Sequence, residues 1–492
     1  MTRSKMSGRW EEGGECTGRR EAGVPHWLIG AVACVVLSAS SAVCSAAVLT
    51  VGDHGTYSTI QAAISTALGA ASTEIRVEQG TYVENIYVGS AFVSEYLEIT
   101  GGWNATFSAR SADASLTVID GSQLINPVVS IGSAGASVLV DGFTVTNGTG
   151  SIAGGVQVTP SGDGEVTVSN NRIIGNTASA ATVPGGAGVG FRQTSGGGRF
   201  YLLDNLISGN TVENTGGASS GGGGVKLYAY DASSFVALGN RITDNTCVAP
   251  LGTVFGCGAN LYHDSTASSA FSSNLVKGNR TETAAGTDVH GAGGYLGLGP
   301  IGNILSVRGN LWIDNRDVGS QEGYHVQSTS HGTGTLIASD TVVAGGTDIG
   351  VFATSYDTST LRLTNLTVFD HADTGVFLSA FGAASSLYNT IVFGSPTLTD
   401  FNSTVVSTGG NLLGPDPLFV SPASWDCRLR SGSPALDRGD NSPPGGLGPT
   451  DADGNPRIID GTVDIGAFEG VATLFDDGFE SGDTSGWSVV VP

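Results

Sequence analysis

The chain has 492 residues, of which 76 are glycine and only 13% are charged, with a formal net charge of −23. High glycine beside 40% hydrophobic residues, with no collagen period, excludes disorder and a triple helix and suits many short strands joined by tight turns. The acidic balance and the lack of a basic stripe exclude a nucleic-acid partner.

Segment 1–46 reads as a signal peptide. Arg19 and Arg20 supply positive charge, WLIGAVACVVL from Trp27 supplies the apolar run, and cleavage is expected near Ala46. Its removal leaves 16 basic and 40 acidic side chains, a balance of −24. The apolar run is shorter than a spanning helix needs, and no other segment reads as a membrane helix. A secreted or cell-surface bacterial protein is therefore expected, as a monomer. Three of the six cysteines leave with the leader. Cys247 and Cys257 bracket one loop and are expected to pair, which leaves Cys427 alone; no CxxC suggests zinc.

A six-residue word, Asn-x-apolar-x-x-Asn, begins at Asn171, Asn205, Asn240, Asn274 and Asn310, at intervals of 34, 35, 34 and 36 residues. Degenerate copies start at Asp340, Asn365 and Asn389. A glycine-led alternating word precedes each copy or lies between copies, from Gly155, Gly188, Gly224, Gly258, Gly294, Gly323, Gly350 and Gly375. Alternation is the strand period, and repeats of this length mark a solenoid whose coils bury their apolar residues against one another. The fold class expected is all-β: a right-handed, single-stranded parallel β-helix with an N-terminal helical cap at 57–64. A β-propeller needs about 40 residues and recurrent aromatic markers per blade, which are missing. The five asparagines should form one hydrogen-bonded ladder, and Ile173, Ile207, Ile242, Val276 and Trp312 one core stack. Glycine-rich stretches such as 213–223 should leave the coil as loops.

The cap and first coils (47–125), with YSTIQAAI at 57–64 and EIRVEQGTYVENIYV at 74–88, resemble the pectin-lyase-like superfamily, whose right-handed β-helix is implied for repeats 126–415. DPLF (416–419), LRSGSPALDRGD (429–440) and TDADGNPRIIDGTVDIGAFE (450–469) resemble the C-terminal module of choice-of-anchor Q proteins, giving a module at 416–470. FSSN (271–274) beside glycine-rich words is similar to polymorphic outer-membrane proteins. These resemblances imply an exported or surface-attached solenoid and carry no catalytic set. The acidic tail 471–492 reads equally as a sorting tag or a frayed end.

Strand alternation places Gln157, Gly190, Lys226, Asn260, Leu296, His325, Phe352 and Phe377 in one outward column. Thr159, Arg192, Tyr228, Tyr262, Leu298, Gln327, Thr354 and Ser379 make the next. Arg192, Lys226, Tyr228, Asn260, Tyr262 and His263, with Tyr230 nearby, thus form a candidate sugar-binding groove of rings, cations and an amide; an ordinary solvated strand face is the alternative. The function expected is a non-catalytic glycan-binding or adhesin-like scaffold with glycan or cell-envelope partners. A polysaccharide lyase with His263 or Tyr262 as base is one alternative, and a purely structural envelope protein another. No acidic side chain lies in either column, which disfavours a glycosidase. No metal site or cofactor is expected. His263, His290, His325 and His331 differ in coil register, and Asp451, Asp453 and Asn455 (DADGN) match a calcium loop in spacing but fit an Asp-Gly turn as well.

Overall fold

The computed structural model describes residues 46–470, apart from 94, 123–125, 194, 286, 320–322, 347–348, 382, 384 and 403–405. The signal-peptide and tail readings fall outside these residues. Among the described residues, no helix is long and apolar enough to cross a membrane.

The chain winds as a right-handed parallel β-helix, the hand that parallel crossovers take. Among the described residues, one face is a sheet of eleven parallel strands, and the remaining walls link into a second, larger parallel sheet. The helix Ile60–Ala67 covers the N-terminal end, with Ile60, Ala63, Ile64 and Ala67 buried on the first coil. Thr59 caps its first turn, and Glu84 accepts from the amides of Ile60 and Gln61. The interior is one continuous file of apolar side chains. Ile173, Ile207, Ile242, Val276 and Trp312 pair in register and run on through Val343, Val368 and Val392, all nearly inaccessible.

Each of the five coils that carry the full word turns two corners at which an asparagine follows a left-handed residue. At the first corner the left-handed column is Asn170, Asp204, Gly239, Ser273 and Gly309, residue types that tolerate positive φ. The buried asparagines beside it form a single file. The Nδ2 of Asn171, Asn205, Asn240 and Asn274 each donates to the Oδ1 of the next, at 3.2, 3.0, 2.9 and 3.1 Å. Each amide also donates back to a carbonyl of the preceding coil, as Asn240 does to Leu202 at 2.8 Å. Every rung is thereby tied to both neighbours.

Sequence reading missed the second corner as a ladder of its own. Asn176, Asn210, Asn245, Asn279 and Asn315, the last letters of the repeated word, are linked in the same way at 3.0, 3.0, 2.9 and 2.8 Å. This ladder lies against the leading glycines: a Cβ at Gly188 or Gly224 would stand 3.0 Å from the Nδ2 of Asn210 or Asn245. The two repeated words are therefore two sides of one contact. The degenerate copies sit one residue out of step. Leu311 pairs with Val342, which sets Thr341 rather than Asp340 beside Asn310, and Asp340, Asn365 and Asn389 continue the left-handed column instead.

The glycine-rich stretches are also more ordered than loops. Thr177–Ala180, Thr211–Asn214, Thr246–Ala249 and Arg280–Thr283 leave the second corner as stacked strands. Ser220–Gly221, Val254–Phe255 and Val289–His290 return as a small parallel sheet. Between them lies a satellite core that includes Ala178, Val212, Val254 and Val289, with Cys247 disulfide-bonded to Cys257 inside it. Insertions of similar length stack on one another for the same reason the coils do.

The segment after 415 lies along the outer wall of the last coils, where Phe419, Cys427, Ile465, Ala467 and Phe468 cover Val342, Ala344, Phe369 and Ile391. Cys427 is buried there as a free thiol. Buried Arg457 holds this segment together by donating to the carbonyls of Asp464, Gly466 and Ala467. The amides of Gly466 and Ala467 donate in turn to the Asn389 carbonyl and the Thr367 hydroxyl of the solenoid.

Asn240→Ala removes both an acceptor and a donor from the middle of the first ladder, and an unsatisfied buried amide costs about 1–3 kcal/mol. We expect the variant to lose about 2–4 kcal/mol in urea unfolding. A loss no larger than that of an exposed asparagine would show that the ladder does not hold the coils.

Candidate functional site

The eleven-stranded face carries the candidate residues. Val225–Asp231 pairs with Val189–Gln193 on one side and with Ala259–Ser265 on the other, so Arg192, Tyr228 and Tyr262 stack in one outward column and Lys226 and Asn260 in another. Two coils depart from the sequence-based columns. Gly294 pairs with Ala259 and Val326 in the inward file, so the true first column runs through Tyr295 and Gln327 rather than Leu296 and His325. The second runs through Gly297 and Thr329 rather than Leu298 and Gln327. The cause is volume: a Cβ at Gly294 would collide with the Trp312 ring, so a glycine fills a core slot there and imitates the leading glycine, which is Gly293. In the following coil that leading slot is taken by His325. Its ring uses the space left where the second asparagine ladder gives way to Gly346.

The two columns differ in exposure. The satellite stack folds back over the first. Gly185 closes on the end of Lys226, where a Cβ would meet Nζ at 2.9 Å, and Asn260 is 1% exposed. Lys226 is 9% exposed, so the first column is the roofed side of the site and not an open groove wall. Burial, assisted by Arg192, pulls the Lys226 ammonium down to about 8. In the second column Arg192 is exposed and Tyr228 and Tyr262 are half-buried.

Here Tyr228, Tyr230 and Tyr262 form a cluster of tilted rings. Tyr228 and Tyr230 each lie 5.6 Å from Tyr262, at 55° and 45°, and 6.3 Å from each other at 75°. Lys226 Nζ lies 5.2 Å from the Tyr228 ring, and the exposed Arg192 guanidinium 5.9 Å from Tyr230. The Tyr228 hydroxyl donates to Asn260 Oδ1 at 3.3 Å. Tyr295 joins from the next coil, because Gly297 leaves room for both rings: a Cβ there would meet Tyr262 at 2.7 Å and Tyr295 at 3.0 Å. Tyr295 was hidden from sequence reading by the false glycine at 294. Among the described residues, no ion pair involves Arg192 or Lys226.

No family model matches the sequence, and no curated protein does. Among solved structures, the crystal structure of pectate lyase Pel9A is similar at a TM-score of 0.47 and 14% identity, over 82% of this chain and 90% of that one.

His263 does not belong to the site. It pairs with Ala229 and Leu298 in the inward file, is inaccessible, packs edge-on against Phe235, and places Nε2 3.0 Å from the Ala267 carbonyl. Alternation puts it on the opposite side of the strand from Tyr262. Burial depresses its pKa to about 4. Tyr262 is pushed up to about 12, first by burial and then by Asp264, Tyr230 and Tyr295, so it keeps its proton at neutral pH. Neither residue suits the proton abstraction that a lyase needs. Asp264, whose charge bears on Tyr230 and Tyr262, accepts from the Ile301 amide at 2.8 Å. Of the other histidines, His325 is buried in the core and His331 stacks on Tyr356. In DADGN, Asp451 spends its carboxylate on the amides of Asp453, Asn455 and Glu469 and on the Asn455 side chain, which makes that segment a self-satisfied turn.

His263→Leu places in this slot the residue type that the next coil already has at Leu298. Ligand retention equal to wild type is expected, with stability changed by about 1 kcal/mol or less; a selective loss of binding would return His263 to the site.

Proposed function

We propose that this chain is an exported, surface-associated solenoid that binds glycans through the tyrosine cluster without transforming them. The observation that carries the reading is the cluster of three tilted, half-buried tyrosines on the sheet face, with Lys226 and exposed Arg192 beside the rings. Tilted rings offer faces to the C–H surfaces of sugars, while the phenol groups offer hydrogen bonds to hydroxyls. Arg192 and Lys226 suit an acidic substituent on the glycan, since each lacks a counter-charge from the protein. Supporting the extracellular setting are the signal-like segment 1–46, a disulfide, and the resemblance of 416–470 to choice-of-anchor Q modules, which fits attachment of a monomer to the envelope. The lyase alternative loses both bases first considered for it, His263 by its inward burial and Tyr262 by its raised pKa.

A glycan array read with wild type and with a Tyr228→Ala, Tyr262→Ala double variant tests the proposal. Acidic glycans should be retained by wild type and lost by the variant, with about 1–3 kcal/mol removed per stacking ring by analogy with aromatic stacking on nucleic-acid bases. Wild type that retains no glycan would leave the structural-envelope reading. Ultraviolet-absorbing unsaturated products from uronate polymers would replace binding with lyase activity.

The reading also sets a pH dependence. A lysine whose pKa is lowered to about 8 is charged below that value and neutral above it. Affinity for an acidic glycan should therefore hold from about pH 6 to 7 and fall as pH rises through about 8, by roughly ten- to a hundredfold for one charge-assisted contact. Titration calorimetry across that range should show the fall in wild type and its absence in Lys226→Gln.

A further inference from the structure

The tyrosine cluster is one end of a longer aromatic stripe. Tyr295, whose ring shares the space over Gly297 with that of Tyr262, packs edge-on against Phe255 with centroids 4.9 Å apart. Phe255 begins a ladder of five rings that crosses from the satellite stack onto the open sheet face. Phe255 stacks on His290 at 4.6 Å, His290 lies 6.4 Å from Tyr324, Tyr324 stands 4.5 Å from Phe352, and Phe352 stacks on Phe377 at 4.6 Å with planes 3° apart. All five are partly exposed. Phe352 and Phe377 lie on the outward side of their strands, so the interior does not require them.

Resting on the glycan-binding reading, we infer that this stripe is a continuation of the binding face and that its ligand is a polysaccharide lying along the solenoid axis, not a short sugar. The continuity with the cluster is the first argument. The second is length. From Arg192 to Phe377 the face crosses seven parallel strands, and six steps of strand spacing make about 30 Å, beyond the reach of a few sugar units. The third is the electrostatics of the rings. Rings stacked face to face show their edges to solvent, and an aromatic edge is the positive part of its quadrupole. A file of such edges favours the ring oxygens and acidic groups of the same polymer that the two cations favour at the other end. The tilted tyrosines supply faces and the ladder supplies edges, so the two ends grip one chain in different ways.

The test uses alginate, a linear acidic polysaccharide, as intact polymer and as size-fractionated oligosaccharides, with the full protein and a Phe352→Ala, Phe377→Ala double variant. Wild-type affinity should rise at least tenfold from the shortest oligosaccharides bound to the polymer, and the variant should lose that rise while binding the shortest ones as wild type does. Circular dichroism and unfolding midpoints close to wild type confirm that the variant is folded. Affinity independent of length in wild type, or an undiminished rise in the variant, overturns the extended site and leaves the tyrosine cluster as a compact one. Binding of alginate at all lengths that survives Tyr228→Ala, Tyr262→Ala overturns the cluster reading itself and this inference with it. If wild type retains no alginate while the array identifies another acidic glycan, the same length series is run with that glycan, and the same outcomes decide.

Discussion

The whole architecture turns on one close approach, the leading glycine of a coil laid against its own core side chain and the coil above. At Gly155, Gly188, Gly224 and Gly258 a Cβ would collide with that core side chain at 2.4–2.7 Å and with the next glycine's carbonyl at 2.6 Å, and would crowd the second-ladder amide at 2.9–3.0 Å. Each asparagine of that ladder gives one hydrogen bond up the stack and one down. Only a residue without Cβ fits there, so the glycine strand and the asparagine corner of these coils repeat together. The exception supports the same logic: where Gly346 replaces the amide, the leading slot admits the ring of His325. Two volumes trade places, and the coil closes.

This contact also governs the binding face. The strand that starts at the leading glycine is the one that presents Lys226, Tyr228 and Tyr230 on one side and Leu227 and Ala229 on the other. Because its inner side is locked in the stack, its outer side is held in register with the coils around it. The tyrosines of separate coils can then meet at ring-contact distances without any loop to position them. The satellite stack covers one edge, and that burial is what lowers the Lys226 pKa to about 8 while Arg192, one column over, stays exposed.

The repeat made most of this legible in the sequence. The words beginning at Asn171 and Gly155 gave strand, turn, period and the inner file, because a solenoid writes each structural position once per coil. Errors arose where one coil altered the pattern to keep its volume constant. Trp312 demanded an extra glycine at 294, and that glycine was taken for the leading one, which hid Tyr295 and misassigned Leu296; in the next coil Gly323 was taken for the leading residue, whose slot His325 fills. His263 was misread for a different reason. It was grouped by nearness in sequence to Tyr262, although adjacent residues of a strand face opposite ways. The roof over Lys226 could not be foreseen, since nothing in a glycine- and serine-rich insertion says that it will stack on its counterparts.

That stacking of insertions has an implication for how such a chain can change. A side strand such as Thr246–Ala249 finds backbone partners only in the insertions of the coils before and after it. An isolated insertion would expose both edges, while a run of them exposes two edges in total, whatever its length. Long repeats should consequently be gained or lost as contiguous blocks, and the uninterrupted series of 34- to 36-residue spacings here is the arrangement that leaves the fewest open edges.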